Sequence, residues 1–186
     1  MEKEINECLS VLKKGQTIVY PTDTVWGIGC DATNAYAVDK VFELKNRPPK
    51  KAMICLVANF KMLQEYVKEV PEVAFDILKN TDKPTTIVYE QPVRLAENLI
   101  NEDNTIGIRV VDHPFCQKLI QKFRRPIVST SANLSGQTTP KTFNEISEDI
   151  LSNAGYVVNL HRNKMNTRPS TVIKVMNDAR VEVIRK

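Results

Sequence analysis

The chain has 186 residues, 42% of them hydrophobic, and 26 Lys and Arg against 22 Asp and Glu leave a net charge of +4. That size suits one well-buried domain, residues 1–186, and the absence of biased tracts excludes a low-complexity or repeat protein. The charge is too mild to identify a nucleic-acid binder by itself. The start Met1-Glu2-Lys3-Glu4-Ile5 lacks a signal peptide's apolar stretch, and no apolar run is long enough to span a bilayer, so a cytoplasmic location without membrane attachment is expected.

Ile5, Leu9 and Leu12 mark one face of a helix that stops near Gly15, and Thr17-Ile18-Val19-Tyr20 has strand composition. Pro21-Thr22-Asp23-Thr24-Val25-Trp26-Gly27-Ile28-Gly29 reads as a polar turn at the strand's end. Taken alone, Thr22 and Asp23 bond their own turn there and Trp26 belongs to the core. Ala37, Val38, Val41, Phe42 and Leu44 give a second helical face, which runs into Lys45-Asn46-Arg47-Pro48-Pro49-Lys50-Lys51. The prolines forbid the helix from continuing, so this cationic knot sits on a turn, where it wants anions.

Met53–Val57 reads as a buried strand and 60–67 and 72–78 as helices. Thr85–Tyr89 and Thr105–Val110 are strands. Asp112-His113-Pro114 opens a helix with Asp112 as cap and Phe115, Leu119 and Phe123 inward, while His113 is a secondary catalytic candidate. Pro126-Ile127-Val128 enters Ser129-Thr130-Ser131-Ala132-Asn133-Leu134-Ser135-Gly136, rich in uncharged donors and acceptors and distinct from a P-loop. Thr142 and Glu145 form a capping box for a helix through Leu151. Val157-Val158 begins a strand, Arg162, Lys164 and Arg168 form a second basic loop, and 170–175 and 181–185 make a hairpin around Asn177-Asp178. Alternation early and local pairing late predict a single-domain α/β fold with an open, twisted, mixed parallel and antiparallel sheet flanked by helices.

Cys8, Cys30, Cys55 and Cys116 show no CxxC spacing and read as reduced, packed thiols. With only His113 and His161 available, no protein-built metal site is expected, and Mg²⁺ enters with a phosphate ligand. Strand ends supply cations (Lys45, Arg47, Lys51, Arg109, Arg185), hydroxyls (Thr24, Thr105, Ser131, Ser170) and the Asn133 amide. No spacing suggests a covalent nucleophile. Such a site suits phosphoryl or nucleotidyl transfer, where positioning and charge neutralisation dominate.

Five segments occur in the order seen in the YrdC-like threonylcarbamoyl-AMP synthases, which the chain resembles over nearly its whole length. They are Pro21–Gly27, Lys45-x-Arg47, Arg109 followed by Asp112-His113-Pro114, Ser131-x-Asn133, and Arg168-Pro169-Ser170-Thr171. The resemblance implies a cationic concave cleft where L-threonine, bicarbonate and ATP give L-threonylcarbamoyladenylate and pyrophosphate, toward t⁶A at tRNA position 37. It implies Lys45 and Arg47 as catalytic residues; Arg47, Lys51, Thr105, Asn133, Lys141 and Arg185 as ATP contacts; and Thr24, Leu56, Arg109, Ser131 and Ser170 as the threonine pocket, with Arg109 on its carboxylate. Mg²⁺ accompanies ATP, and separate transfer proteins carry the group to tRNA. The chain departs from the common pattern at Trp26, Lys51-Ala52, Leu56 and Thr81-Asp82-Lys83-Pro84. Two other readings stay open at this level: a double-stranded RNA or tRNA binding module using the same cleft, and a paralogue adenylating a different carbamate.

Overall fold

A computed structural model describes residues 1–48, 52–165 and 169–186. Among the described residues nine strands form one sheet in the order β7-β1-β2-β6-β3-β5-β4-β8-β9. In chain order they are β1 (Ile18–Tyr20), β2 (Gly27–Gly29), β3 (Ile54–Val57), β4 (Thr85–Glu90), β5 (Thr105–Val110), β6 (Ile127–Ser131), β7 (Tyr156–Val157), β8 (Thr171–Val175) and β9 (Val181–Arg185). The pairs β1–β7, β3–β5 and β4–β8 are parallel and the others antiparallel, as expected of a mixed sheet.

The helices are α1 (Glu2–Lys13), α2 (Ala35–Leu44), α3 (Phe60–Tyr66), α4 (Glu72–Lys79), α5 (Pro114–Phe123) and α6 (Glu148–Asn153). α1 turns Ile5, Cys8 and Leu12 inward against α5, whose Phe115, Cys116, Leu119, Ile120 and Phe123 complete a core on one face of the sheet. The larger core, around Trp26, Val38, Val41, Phe42, Cys55 and Ile87, fills the other side. All four cysteines are buried free thiols.

Three local expectations differ from what forms. The Gly27–Gly29 stretch, expected as part of a turn, is the strand β2 between β1 and β6. A Cβ on Gly29 would come within 2.4 Å of the Val128 carbonyl oxygen and 2.7 Å of the Tyr20 ring, so close strand packing, with no help from β propensity, demands glycine here. The helix expected from Thr142 through Leu151 is broken. Thr142 Oγ1 does donate to Glu145 Oε1 at 3.2 Å, but it starts only a 3₁₀ turn over Phe143–Glu145; Ile146 is then extended and buried, and α6 begins after Ser147. At α5 the cap position falls on His113 instead of Asp112, with no side-chain capping bond, and Pro114 pre-sets the first turn. Trp26 is a core residue, 1% exposed and 5.0 Å from the Phe143 ring.

Candidate active site

α2 ends at Leu44, and the chain then turns back toward the end of β6. Lys45 follows the helix inward and is 1% exposed. Its Nζ donates to the carbonyl oxygens of Ser131 and, at 2.6 Å, Asn133, fastening the polar segment after β6 to the end of α2. Burial first, and then the neighbouring charge of Arg47, pushes the Lys45 ammonium down to about 8. Lys45 sits on the turn expected for this cationic stretch, yet it is buried. Carbonyl acceptors let its charge enter the protein.

Arg47 is half-buried. NH1 donates to Thr130 Oγ1 at 3.2 Å and NH2 to the Ala52 carbonyl at 2.7 Å, while Nε is buried without a partner among the described residues. Burial also lowers its pKa. No carboxylate pairs with Arg47 among the described residues. It is a partly desolvated cation whose fork remains incompletely used.

Thr130 and Ala52 belong to the wall of a cavity of about 400 Å³. Thr24, Arg109, Ser131, Ser170, Lys141 and Arg185 line it, together with an apolar side formed by Val25, Met53 and Ile54. Arg109, on β5, is 3% exposed. Its NH2 donates to Asp23 Oδ1 at 2.9 Å and Thr24 Oγ1 at 3.2 Å, and its Nε is buried without a partner among the described residues. Arg185, on the edge strand β9, donates from Nε and NH2 to the Ser170 carbonyl at 3.1 and 2.9 Å. Chain segments from both ends of the sequence thus meet at one hollow. Its cations, hydroxyls and apolar wall can take a ligand that is both anionic and partly apolar.

Six of the site residues expected from sequence, namely Thr24, Arg109, Ser131, Ser170, Lys141 and Arg185, line this cavity, and Arg47 bonds to its wall. Asn133 stands just behind it. Its Nδ2 donates to the Leu134 and Gln137 carbonyls, and Oδ1 is buried without a partner among the described residues. Lys45 does not line the cavity either, and Leu56 and Thr105 lie away from it altogether. Leu56 is fully buried in the core with α1 and α5, as its apolar side chain dictates. Thr105 is 2% exposed at the opposite end of β5, beside Glu90 in register, and its hydroxyl donates to Asp103 at 2.6 Å. Lys51 and Arg168 lie outside the described residues.

Two participants were missed. Asp23, expected to bond only its own turn, instead balances the buried charge of Arg109. Thr130 orients the Arg47 fork. A buried arginine needs an anion, which was the available signal for Asp23; nothing in the spacing singled out Thr130 among its hydroxyl neighbours. His113, the secondary catalytic candidate, does not line the cavity: its ring lies 5.6 Å from that of His161, and burial and then the His161 charge lower its pKa.

The Sua5_yciO_yrdC family model, described as Telomere recombination, matches residues 10–186. The threonylcarbamoyl-AMP synthase of Pseudoalteromonas translucida is 35% identical over 179 residues, 95% of each chain. A crystal structure of P. abyssi Sua5 complexed with L-threonine matches with a TM-score of 0.85 at 30% identity, over 94% of this chain and 52% of the other. E. coli YciO matches with a TM-score of 0.86 at 26% identity, over 100% of this chain and 90% of the other. The chain thus spans about half the length of the Sua5 structure it matches.

Proposed function

The chain belongs to the Sua5/YciO/YrdC family, and from that premise we propose that it is a threonylcarbamoyl-AMP synthase, a transferase that adenylates a carbamate of L-threonine. The observation that carries this reading is the convergence of Arg109, Ser131, Ser170, Lys141 and Arg185 on one cavity of about 400 Å³, with Arg47 bonded to its wall. That volume is within the range of small-molecule sites.

In this reaction the threonine amine attacks the carbon of bicarbonate, water leaves, and a carbamate forms. A carbamate oxygen then attacks the α-phosphorus of ATP, and the bond to the β,γ-pyrophosphate breaks. No protein nucleophile is needed, so the protein's part is to position two anions against each other and neutralise them. Arg47 and Lys45 are the assigned catalytic residues, Arg47 reaching the triphosphate from the cavity wall and Lys45 adding its charge from beneath the segment after β6, with Lys141 and Arg185 as outer contacts. Asn133 is assigned to the nucleotide, although it does not line the cavity and its Oδ1 is buried. Thr24, Arg109, Ser131 and Ser170 are assigned to threonine.

Mg²⁺ is proposed to enter on the phosphates of ATP. The cavity wall presents hydroxyls and cations, and the described residues contain no group of three or more His, Cys, Asp or Glu able to hold a metal. Such a wall suits a metal delivered by the nucleotide, where it would neutralise phosphate charge. Among the described residues no helix is long and apolar enough to cross a membrane, and the proposed location is the cytoplasm, where ATP and tRNA are available. Transfer of the threonylcarbamoyl group to tRNA is assigned to separate proteins.

The deciding experiment is pyrophosphate release from ATP in bicarbonate buffer, with and without L-threonine. Threonine-dependent release is the expected result, and equal rates overturn the reading. Binding of double-stranded RNA or tRNA that weakens steeply with salt and ignores ATP and threonine is the outcome a binding module would give. A panel of other amino acids in the same assay tests the alternative substrate, which the likeness to YciO makes worth including.

Lys45 sets a pH dependence. As pH rises through about 8 the folded protein loses this charge while the neutral amine keeps N–H donors for the two carbonyls, so the cavity weakens electrostatically without being dismantled. The KM for ATP is expected to rise severalfold between pH 7 and 9 in the wild type. In Lys45→Met that rise disappears, with a high KM at every pH.

A further inference from the structure

We infer that Thr86, which does not line the cavity, is a positioning residue that turns the Ser170 hydroxyl into a hydrogen-bond donor toward the anionic end of the amino acid. The inference rests on the reading of this cavity as an amino-acid site.

Thr86 lies on β4, is 0% exposed, and is paired with Val172 of the parallel strand β8. Its Oγ1 lies 2.9 Å from Ser170 Oγ, and Ser170 lines the cavity. Arg185 NH2 approaches the same Ser170 oxygen at 3.4 Å, in addition to its two bonds to the Ser170 carbonyl. A guanidinium only donates, so Ser170 Oγ accepts from Arg185.

The hydrogen between the two hydroxyls then has a preferred owner. Thr86 Oγ1 has no other partner within the described hydrogen bonds, and a buried hydroxyl proton left without an acceptor is costly. Thr86 therefore donates to Ser170. Ser170 Oγ, accepting from Thr86 and from Arg185, has both lone pairs engaged, and its own proton is left to point into the cavity. A hydroxyl polarised by two donors, one of them cationic, is a strong donor in turn. That polarity suits a carboxylate or carbamate oxygen and not an ammonium group.

The other arm of Thr86 does different work. Gly107, beside it on β5, has room for no side chain: a Cβ there would lie 2.9 Å from Ile54 Cγ2 and 3.3 Å from the Thr86 methyl. The methyl therefore packs the floor beneath the cavity, and the hydroxyl orients its wall. Two substitutions separate these roles. Thr86→Val keeps the branched shape and removes the hydroxyl; Thr86→Ser keeps the hydroxyl and removes the methyl.

Steady-state pyrophosphate release distinguishes them. Thr86→Val is expected to raise the KM for L-threonine by about fivefold to tenfold, the worth of one buried hydrogen bond, with the KM for ATP unchanged, and Thr86→Ser to restore a near-wild-type value. The opposite order, Val normal and Ser impaired, or equal shifts in both KM values, means a packing role and overturns the inference. If Thr86→Val does not fold, Thr86→Ala against Thr86→Ser repeats the comparison, since these two differ by the hydroxyl alone. Wild-type protein without threonine-dependent release overturns the parent reading instead, an outcome separable from an active wild type whose Thr86 variants are all normal.

Discussion

Arg47→Ala is expected to lower kcat/KM for ATP in threonine-dependent pyrophosphate release by about 10²- to 10³-fold, the usual consequence of removing one preorganised charge donor from a developing anion. The expectation comes from how Arg47 is held. Its fork is anchored by Thr130 and Ala52, its Nε is buried without a partner among the described residues, and burial lowers its pKa. Such a cation is costly in the empty protein and recovers that cost when a phosphate arrives. Two consequences follow that a structural arginine would not show. The stability of Arg47→Ala to urea should be unchanged or slightly higher, because an uncompensated charge has been removed. Arg47→Lys should recover only a small part of the activity, since an ammonium has no planar fork to fill these positions. An Arg47→Ala rate within threefold of wild type refutes the assignment.

Arg109 should behave in the reverse way, losing stability and substrate binding together. It shares a buried ion pair with Asp23, the two side chains being 3% and 8% exposed, and it also bonds Thr24. Removing one member of such a pair strands the other, at a cost of about 3–5 kcal/mol. Arg109→Ala is therefore expected to unfold at markedly lower urea concentration and to show no saturation with threonine. Destabilisation alone does not account for the second effect, and the double variant Asp23→Asn with Arg109→Gln separates them. With both charges gone, most of the stability should return, while threonine-dependent activity stays absent. If activity returns with stability, Arg109 serves only to hold the Pro21–Gly27 turn in place.

These two arginines look alike in the sequence and differ only in what surrounds them. Each follows an apolar segment. Arg109 finds Asp23, a residue 86 positions away, because β5 runs out at the turn that follows β1. Arg47 finds no carboxylate among the described residues. Spacing cannot tell a paired guanidinium from an unpaired one, since the difference lies in contacts between distant segments.

Secondary structure was legible where one face of an element is buried and the pattern is long. Ile5 and Leu12 on α1, Val38, Val41 and Phe42 on α2, and Phe115, Leu119 and Phe123 on α5 all turn inward as their periodicity requires. It was not legible where packing overrides local preference. Gly27–Gly29 becomes a strand because it pairs with both β1 and β6, whose close packing leaves no room for a Cβ at Gly29. The Thr142–Glu145 box fails to start a long helix because Ile146 is drawn into the core in an extended conformation.

What the amino-acid order determined alone is the inventory: one α/β domain, cations and hydroxyls held near strand ends, no covalent nucleophile evident, and a succession of short motifs matching one family. Local periodicity and residue chemistry are enough for that, because both act over a few neighbouring positions. Only the tertiary structure decided which of these groups share a cavity. It sent Leu56 into the core and Thr105 to the far end of β5, buried the Lys45 ammonium on two carbonyls, and brought Thr86 behind Ser170 across 84 residues. Those outcomes depend on strand order and register, which are set by how the whole sheet packs on its two cores and not by any stretch of chain read by itself.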